Sequence, residues 1–372
     1  MKKTCYILLI MLFFLNGCSR YENIKGMHVI LQEPEIRQRY GGEMGALADE
    51  LKEAGVNLVI TPVMENGTAF YPSDILPQRR EDGTQLLAFR HELRRRNIRF
   101  AAYIPVFTDA YSYYYQPSLR AVDDFGNRTN QKHMYAICPG DPEYRDYKRE
   151  AVREVLLILQ PDMLYFDDLS FPLDKDILCN GKISASQRQR SYCFCPDCRK
   201  AFSEFSSIAI PSHLSTPEAA AWILENHEDE WIRWKCDLIT SYVKELKNNT
   251  RDIMPDCKIM LVTLDREEAE HHYDRQRLAG HNLKDLNDYV DYFVSPPCPL
   301  LNEEDYSRLA ELRPGPENPK KHIIPSLKLS AGHKSENRFR QSLNFFKNRF
   351  ILYSWTSLLK NRSYLNIYST EF

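Results

Sequence analysis

Two adjacent acids close an apolar run in Tyr165-Phe166-Asp167-Asp168-Leu169-Ser170-Phe171-Pro172. Like charges at the partly buried end of such a run repel, so the fold alone gives no reason to place them side by side. Side chains alternate along a strand, which lets only one of the pair point squarely to one side. More acids stand just past other apolar runs: Glu33, Glu65, Asp109 and Asp265. Carboxyl groups gathered at one place can act as acid, base or nucleophile. The bland alternative is a helix cap for one or two of them and an ion pair for another.

The elements that would gather them alternate eight times. Apolar runs at 26–31, 57–63, 98–106, 162–167, 258–264, 289–295, 322–327 and 350–355 read as strands. Amphipathic stretches at 43–54, 85–96, 144–159, 217–251, 275–286, 303–312 and 336–347 read as helices, leaving a short tail for an eighth. Strands alternating with helices predict a parallel sheet, and eight units predict a (β/α)8 TIM barrel. No glycine-rich phosphate loop follows the first run, where an open dinucleotide fold would carry one. Residues 169–215 fit no helix of the ring and read as an excursion after strand four. In such a barrel the site lies at the C-terminal ends of the strands. All six acids fall there, with Tyr103, Tyr111, Tyr113, Tyr114, Tyr115, Lys328 and Trp355. Aromatic faces at a barrel mouth can stack sugar rings; packing under their own loop is the alternative. Trp355, ending strand eight, is the expected platform.

The start of the chain carries a different signal. Met1-Lys2-Lys3 is positive, and Tyr6 to Leu15 is an apolar run too short to span a bilayer. Leu15-Asn16-Gly17-Cys18 resembles the lipobox of bacterial lipoproteins. The resemblance implies a signal over 1–17, a lipidated Cys18 with a tether over 18–25, and a barrel domain over 26–372. Ser19 after the cysteine is similar to sorting signals that favour the outer membrane. Removing 1–17 leaves 47 basic against 51 acidic residues, which gives no electrostatic case for nucleic acid.

Eight cysteines remain: Cys138, Cys179, Cys193, Cys195, Cys198, Cys236, Cys257 and Cys298. Cys179, Cys193, Cys195 and Cys198 share the excursion. Four thiolates suit a closed, structural zinc site; two disulfides are the competing reading in an oxidising compartment.

Asp167-Asp168-x-x-x-Pro172 resembles the signature of the uncharacterised, family-10-like glycosyl-hydrolase barrels of bacteria. Ile137-Cys138-Pro139-Gly140-Asp141-Pro142-Glu143-Tyr144, Cys193 to Phe202, Trp231-Ile232-Arg233-Trp234 with Pro255-Asp256, and Val290 to Pro296 are similar to further segments of that group. The chain departs from it at Pro296-Pro297-Cys298-Pro299. The resemblance implies hydrolysis of an oligo- or polysaccharide at the cell envelope without a catalytic cofactor. A non-catalytic glycan-binding lipoprotein is the alternative. Glycoside hydrolysis needs two carboxyl groups flanking the bond. Position and resemblance assign Asp167 as nucleophile or base with Asp168 supporting it. Asp265, then Glu65, are the candidate acids, and Glu33, Tyr103, Asp109, Tyr113, Lys328 and Trp355 are candidate substrate contacts.

Overall fold

The computed structural model describes residues 23–78, 83–129, 135–173, 191–264, 275–299, 323–329, 333–346 and 349–371. Eight strands form the wall of a barrel: β1 Ile24–His28, β2 Leu58–Pro62, β3 Arg99–Pro105, β4 Met163–Asp167, β5 Lys258–Val262, β6 Tyr292–Val294, β7 Ser326–Lys328 and β8 Arg349–Tyr353. Each of β1 to β5 pairs in parallel with the strand that follows it, and β8 lies between β1 and β7. A bridge from Val294 to Ile324 joins β6 to the residues leading into β7, with Ile324 N donating to Phe293 O at 2.8 Å. That contact completes the ring, so the chain is a (β/α)8 barrel.

The alternation of side chains sorts the core into two parts. Leu58, Ile60, Ala101, Met163, Tyr165, Met260, Val294, Ile324 and Ile351 fill the barrel, with Tyr103 packed against them. Their neighbours along each strand, such as Val59, Phe100, Leu164 and Leu261, pack outward against the helices.

Several elements differ from expectation. The stretch 217–251 is two helices, Thr216–Asn226 and Glu228–Ile253. Trp222 packs on the intervening His227 at 4.7 Å between rings. Glu228, Asp229 and Glu230 then sit in the first turn of the second helix, where negative charge favours a new N-terminus. The stretch 275–286 is a π-helical turn, Arg275–Ala279, then Leu283–Leu286. Gly280 separates them with φ +74°, and a Cβ there would press on Phe171, Ile239 and the Lys235 carbonyl. An eighth helical layer does exist, Trp355–Leu359 and Arg362–Glu371, where a short tail was expected. Tyr364 and Tyr368 bury it against Phe339 and Phe350. Strand β1 begins at Ile24, inside the stretch read as a tether. The expected helix 303–312 lies outside the described residues. The excursion contributes helix Pro196–Ser206, which packs its Phe202 edge-on to Trp231. Among the described residues, no helix is long and apolar enough to cross a membrane.

Candidate active site

At the C-terminal end of β4, Asp167 follows Met163 and Tyr165 along the face that fills the barrel. Its Oδ2 accepts the Tyr103 hydroxyl at 2.6 Å and its Oδ1 the Asp168 amide at 2.8 Å. Two donors on two oxygens fix the plane of the carboxylate, and bonds to an ionised acceptor are the stronger kind. Burial, followed by the Asp167 charge, raises the Tyr103 phenol well above its ordinary range, so Tyr103 stays a donor. Asp168 adopts φ +51°, a left-handed conformation that Asp tolerates better than most residues. This ends the strand's alternation between the two acids. The backbone stays in the sheet, with Val106 N on Asp167 O at 2.9 Å and Phe107 N on Asp168 O at 3.1 Å.

Beside this pair stands His28, which the sequence reading missed. It ends β1 with 2% exposure, edge-on to Tyr165 at 5.4 Å and near Tyr353 at 4.9 Å. Burial lowers its pKa to about 3 against the opposing pull of Asp167, so the ring is neutral, and its Nε2 has no hydrogen-bond partner among the described residues. The available signal was its place in the alternation of an otherwise apolar strand, two residues after Gly26. Tyr353, not Trp355, ends β8 and brings its ring to the same layer. Lys328 ends β7 opposite Tyr353, with its side chain exposed. The mouth thus collects Asp167, Tyr103, His28, Tyr353 and Lys328.

Of the other expected site residues, Asp109, Trp355 and Tyr113 are turned away. Asp109 is fully buried. One oxygen caps helix Ala110–Tyr115 through Ser112 N at 2.8 Å; the other meets the Tyr144 hydroxyl at 3.1 Å and Lys148 Nζ at 3.4 Å. It is a structural ion pair rather than a substrate contact. Trp355 is 1% exposed and donates Nε1 to the Tyr40 hydroxyl at 3.0 Å, because a helix starts there and carries the indole into the outer layer. Tyr113 is buried too, its hydroxyl bonded to Thr129 O and its ring covered by the Arg120 guanidinium at 4.2 Å. Glu65 sits exposed on a two-stranded hairpin, Met64–Glu65 with Thr68–Ala69, beyond β2. Glu33 precedes helix Pro34–Tyr40 without capping it, and its Oε2 is buried without a hydrogen-bond partner among the described residues. Asp265 lies outside the described residues, directly after Leu264.

A buried latch ties the rims of β4 and β5. His281 donates Nε2 to Leu169 O at 2.8 Å and, as a neutral ring, accepts the Thr263 hydroxyl at Nδ1 at 3.0 Å. Burial lowers its pKa to about 4, so a neutral ring joins the end of β5 to the segment that follows Asp167 and Asp168. Arg275 Nε adds a bond to Leu264 O at 2.7 Å.

The thiol cluster is assembled differently from expectation. Cys138, Cys193, Cys195 and Cys198 are all buried, with their sulfurs within 4.8 Å of one another. Cys138 Sγ lies 3.6 Å from Cys195 and 3.3 Å from Cys198, and none of the four is disulfide-bonded. Cys179 lies outside the described residues, and Cys138 is the fourth thiol here. It arrives from the Ile137-Cys138-Pro139-Gly140 segment, across the fold, which spacing within the excursion could not reveal. A Cβ on Gly140 would stand 2.7 Å from Cys198 Sγ, so only glycine lets the segment approach. Backbone amides of Val122 and Cys198 point at Cys193 and Cys195 sulfurs, at 3.2 and 3.4 Å. Hydrogen bonds from Cys138, Cys193 and Cys198 hold the Cys195 thiol far below its usual range.

No family model matches the sequence, and no curated protein does. Solved structures match the fold along almost the whole chain. The PgaB (BpsB) glycoside hydrolase domain from Bordetella bronchiseptica aligns with a TM-score of 0.65 at 13% identity, covering 93% of this chain and 98% of that one. Alpha-L-fucosidase isoenzyme 2 from Paenibacillus thiaminolyticus gives 0.63 at 14%, covering 94% and 49%. Gan42B, a GH42 beta-galactosidase, gives 0.61 at 12%, covering 95% and 56%. The chain spans about half the length of the last two. These neighbours are glycoside hydrolases built on the same barrel; at such identity the likeness is one of fold, and activity belongs to the residues of the mouth.

Proposed function

We propose that this barrel is a glycoside hydrolase acting on an oligo- or polysaccharide of the cell envelope, with Asp167 as its nucleophile or base. The observation that carries the reading is the Asp167 carboxylate in the mouth, oriented by Tyr103 and the Asp168 amide. A carboxylate held in one plane is ready to meet an anomeric carbon, or a water beside it, without reorganising. Neutral His28 and the Tyr103 and Tyr353 rings suit an uncharged sugar ring. We assign the acid to Asp265, because β5 adjoins β4 and the His281 latch joins their rims; Glu65, on an exposed hairpin, fits less well. Carboxyl groups about 5–5.5 Å apart would imply retention, and about 6.5–9.5 Å inversion.

One observation favours the second reading, a glycan-binding barrel without turnover. With Asp109 consumed by Lys148 and Glu65 on its hairpin, Asp167 is the acid among the described residues that a strand end delivers to the mouth. Screening the full chain on soluble polysaccharides separates the two. Hydrolysis that falls about a hundredfold or more in Asp167→Asn supports the enzyme, and binding without turnover supports the second reading.

The remaining expectations complete the proposal. Lipidation at Cys18 anchors the chain to the outer membrane, its partner there being a carbohydrate polymer and not nucleic acid. No catalytic cofactor is involved. Cys138, Cys193, Cys195 and Cys198 hold one structural zinc. Tetrahedral Zn–S bonds of about 2.3 Å put sulfurs about 3.8 Å apart, close to the separations already present, and the N–H donors complement thiolate charge. The zinc would clamp the excursion to the segment opening helix Pro142–Leu159. Metal analysis should find one zinc per chain, lost in Cys138→Ser and kept in Cys179→Ser. No zinc in the wild type, or zinc lost only in the Cys179 variant, would refute this ligand set.

A further inference from the structure

Helix Ala110–Tyr115, just past the end of β3, displays three tyrosines, and the site described so far uses none of them. Tyr115 is 73% exposed, Tyr114 62% and Tyr111 42%. Tyr111 and Tyr115, four residues apart on one face, lie 4.5 Å ring to ring, and Tyr114 leans on Tyr135 at 5.7 Å. Exposed rings of this size are normally drawn inward by the hydrophobic effect.

The mount beneath them is stiff. Asp109 caps the helix and is itself held by Tyr144 and Lys148 in a fully buried cluster. Tyr113 is the root of the helix, pinned by Thr129 O and Arg120. On the other side Tyr111 N donates to Asn66 O at 3.1 Å in the Glu65 hairpin. Gly67 there has φ +77°, and a Cβ on it would overlap the Asp109 carboxylate and press on Tyr111. A rigid backbone therefore holds flat, amphipathic rings facing solvent, a cheap surface to bind with because little side-chain freedom is left to lose.

The helix and the mouth lie on one stretch of chain: β3 carries Tyr103, bonded to Asp167, and the residues past its end carry Phe107, bonded to Asp168 O, and then the Asp109 cap. A ligand reaching both must be extended and must offer apolar ring faces edged by hydroxyls, which is the chemistry of a glycan chain. We infer that Tyr111, Tyr114 and Tyr115 form a stacking surface for a polysaccharide strand, outside the catalytic mouth. This rests on the carbohydrate reading above and sharpens it: the substrate is a polymer.

The test is affinity electrophoresis of the full chain in native gels cast with glycol chitosan, laminarin, carboxymethylcellulose or hyaluronan. The wild type should be retarded by at least one of them. Tyr111→Ala/Tyr115→Ala should weaken the apparent affinity about fivefold or more, and Tyr111→Phe/Tyr115→Phe, which keeps the rings, should retain it. Asp167→Asn should also be retarded. Retardation that is absent in every gel, or unchanged in the alanine variant, overturns the surface. Retardation that follows the rings while no polysaccharide is cleaved upholds the surface and refutes hydrolysis.

Discussion

Asp167 ends β4 and Asp109 stands just past the end of the adjacent β3, yet the protein uses them in opposite ways. Asp167 lies within its strand's alternation, two residues after Tyr165, and enters the mouth with two donors fixing it. Asp109 lies four residues beyond Pro105, where alternation no longer applies, and turns inward to Lys148 and Tyr144. Both carboxylates are satisfied. One is oriented by a phenol and an amide; the other is paired with a buried cation that needs it. A residue type at a barrel rim is thus no guide to its role until the direction of its backbone is known.

The largest effect should come from separating the buried pair. Asp109→Ala leaves the Lys148 ammonium fully buried and uncompensated, where burial already lowers its pKa. Removing one member of such a pair costs about 3–5 kcal/mol, read as a lower denaturation midpoint. Asp109→Asn with Lys148→Met should cost less than Asp109→Ala alone. A double-variant loss equal to the sum of the Asp109→Asn and Lys148→Met losses would mean that the pair contributes nothing as a pair.

A smaller effect sharpens the other side of the comparison. His28, beside Asp167, has its pKa lowered to about 3 by burial, whereas an unfolded histidine titrates near 6.5. Between those values the unfolded chain binds the extra proton, so stability falls as pH drops below about 6.5. The slope reaches about 1.4 kcal/mol per pH unit. His281, lowered to about 4, adds a like slope, so urea melts from pH 7 to pH 5 should show the sum of the two, and His28→Gln should remove about half of it. An identical slope in the variant would place the proton-sensitive group elsewhere.

The barrel was readable because its strands are apolar runs of nearly uniform length between amphipathic helices. Asp167 and Tyr103 were readable because a strand's alternation is a strict geometric rule. Trp355, Tyr113 and Asp109 were not, since each lies past the end of a strand, where a helix start or a cap resets direction. His28 was hidden inside an apolar run, and only the closed barrel shows that its side of β1 faces Tyr103, Tyr165 and Tyr353. Cys138 was hidden by distance, since 54 residues of chain lie between it and Cys193. Two helices in place of one at His227 followed from a local signal, three acids in a row, that a long hydrophobic stripe concealed.

The most direct test compares Asp167→Asn with Asp109→Asn in one assay of polysaccharide hydrolysis and one of thermal unfolding. The expected result is a loss of turnover of about a hundredfold or more in Asp167→Asn with Tm near the wild-type value, against a lowered Tm in Asp109→Asn. Full turnover in a folded Asp167→Asn protein would contradict the assignment of the mouth.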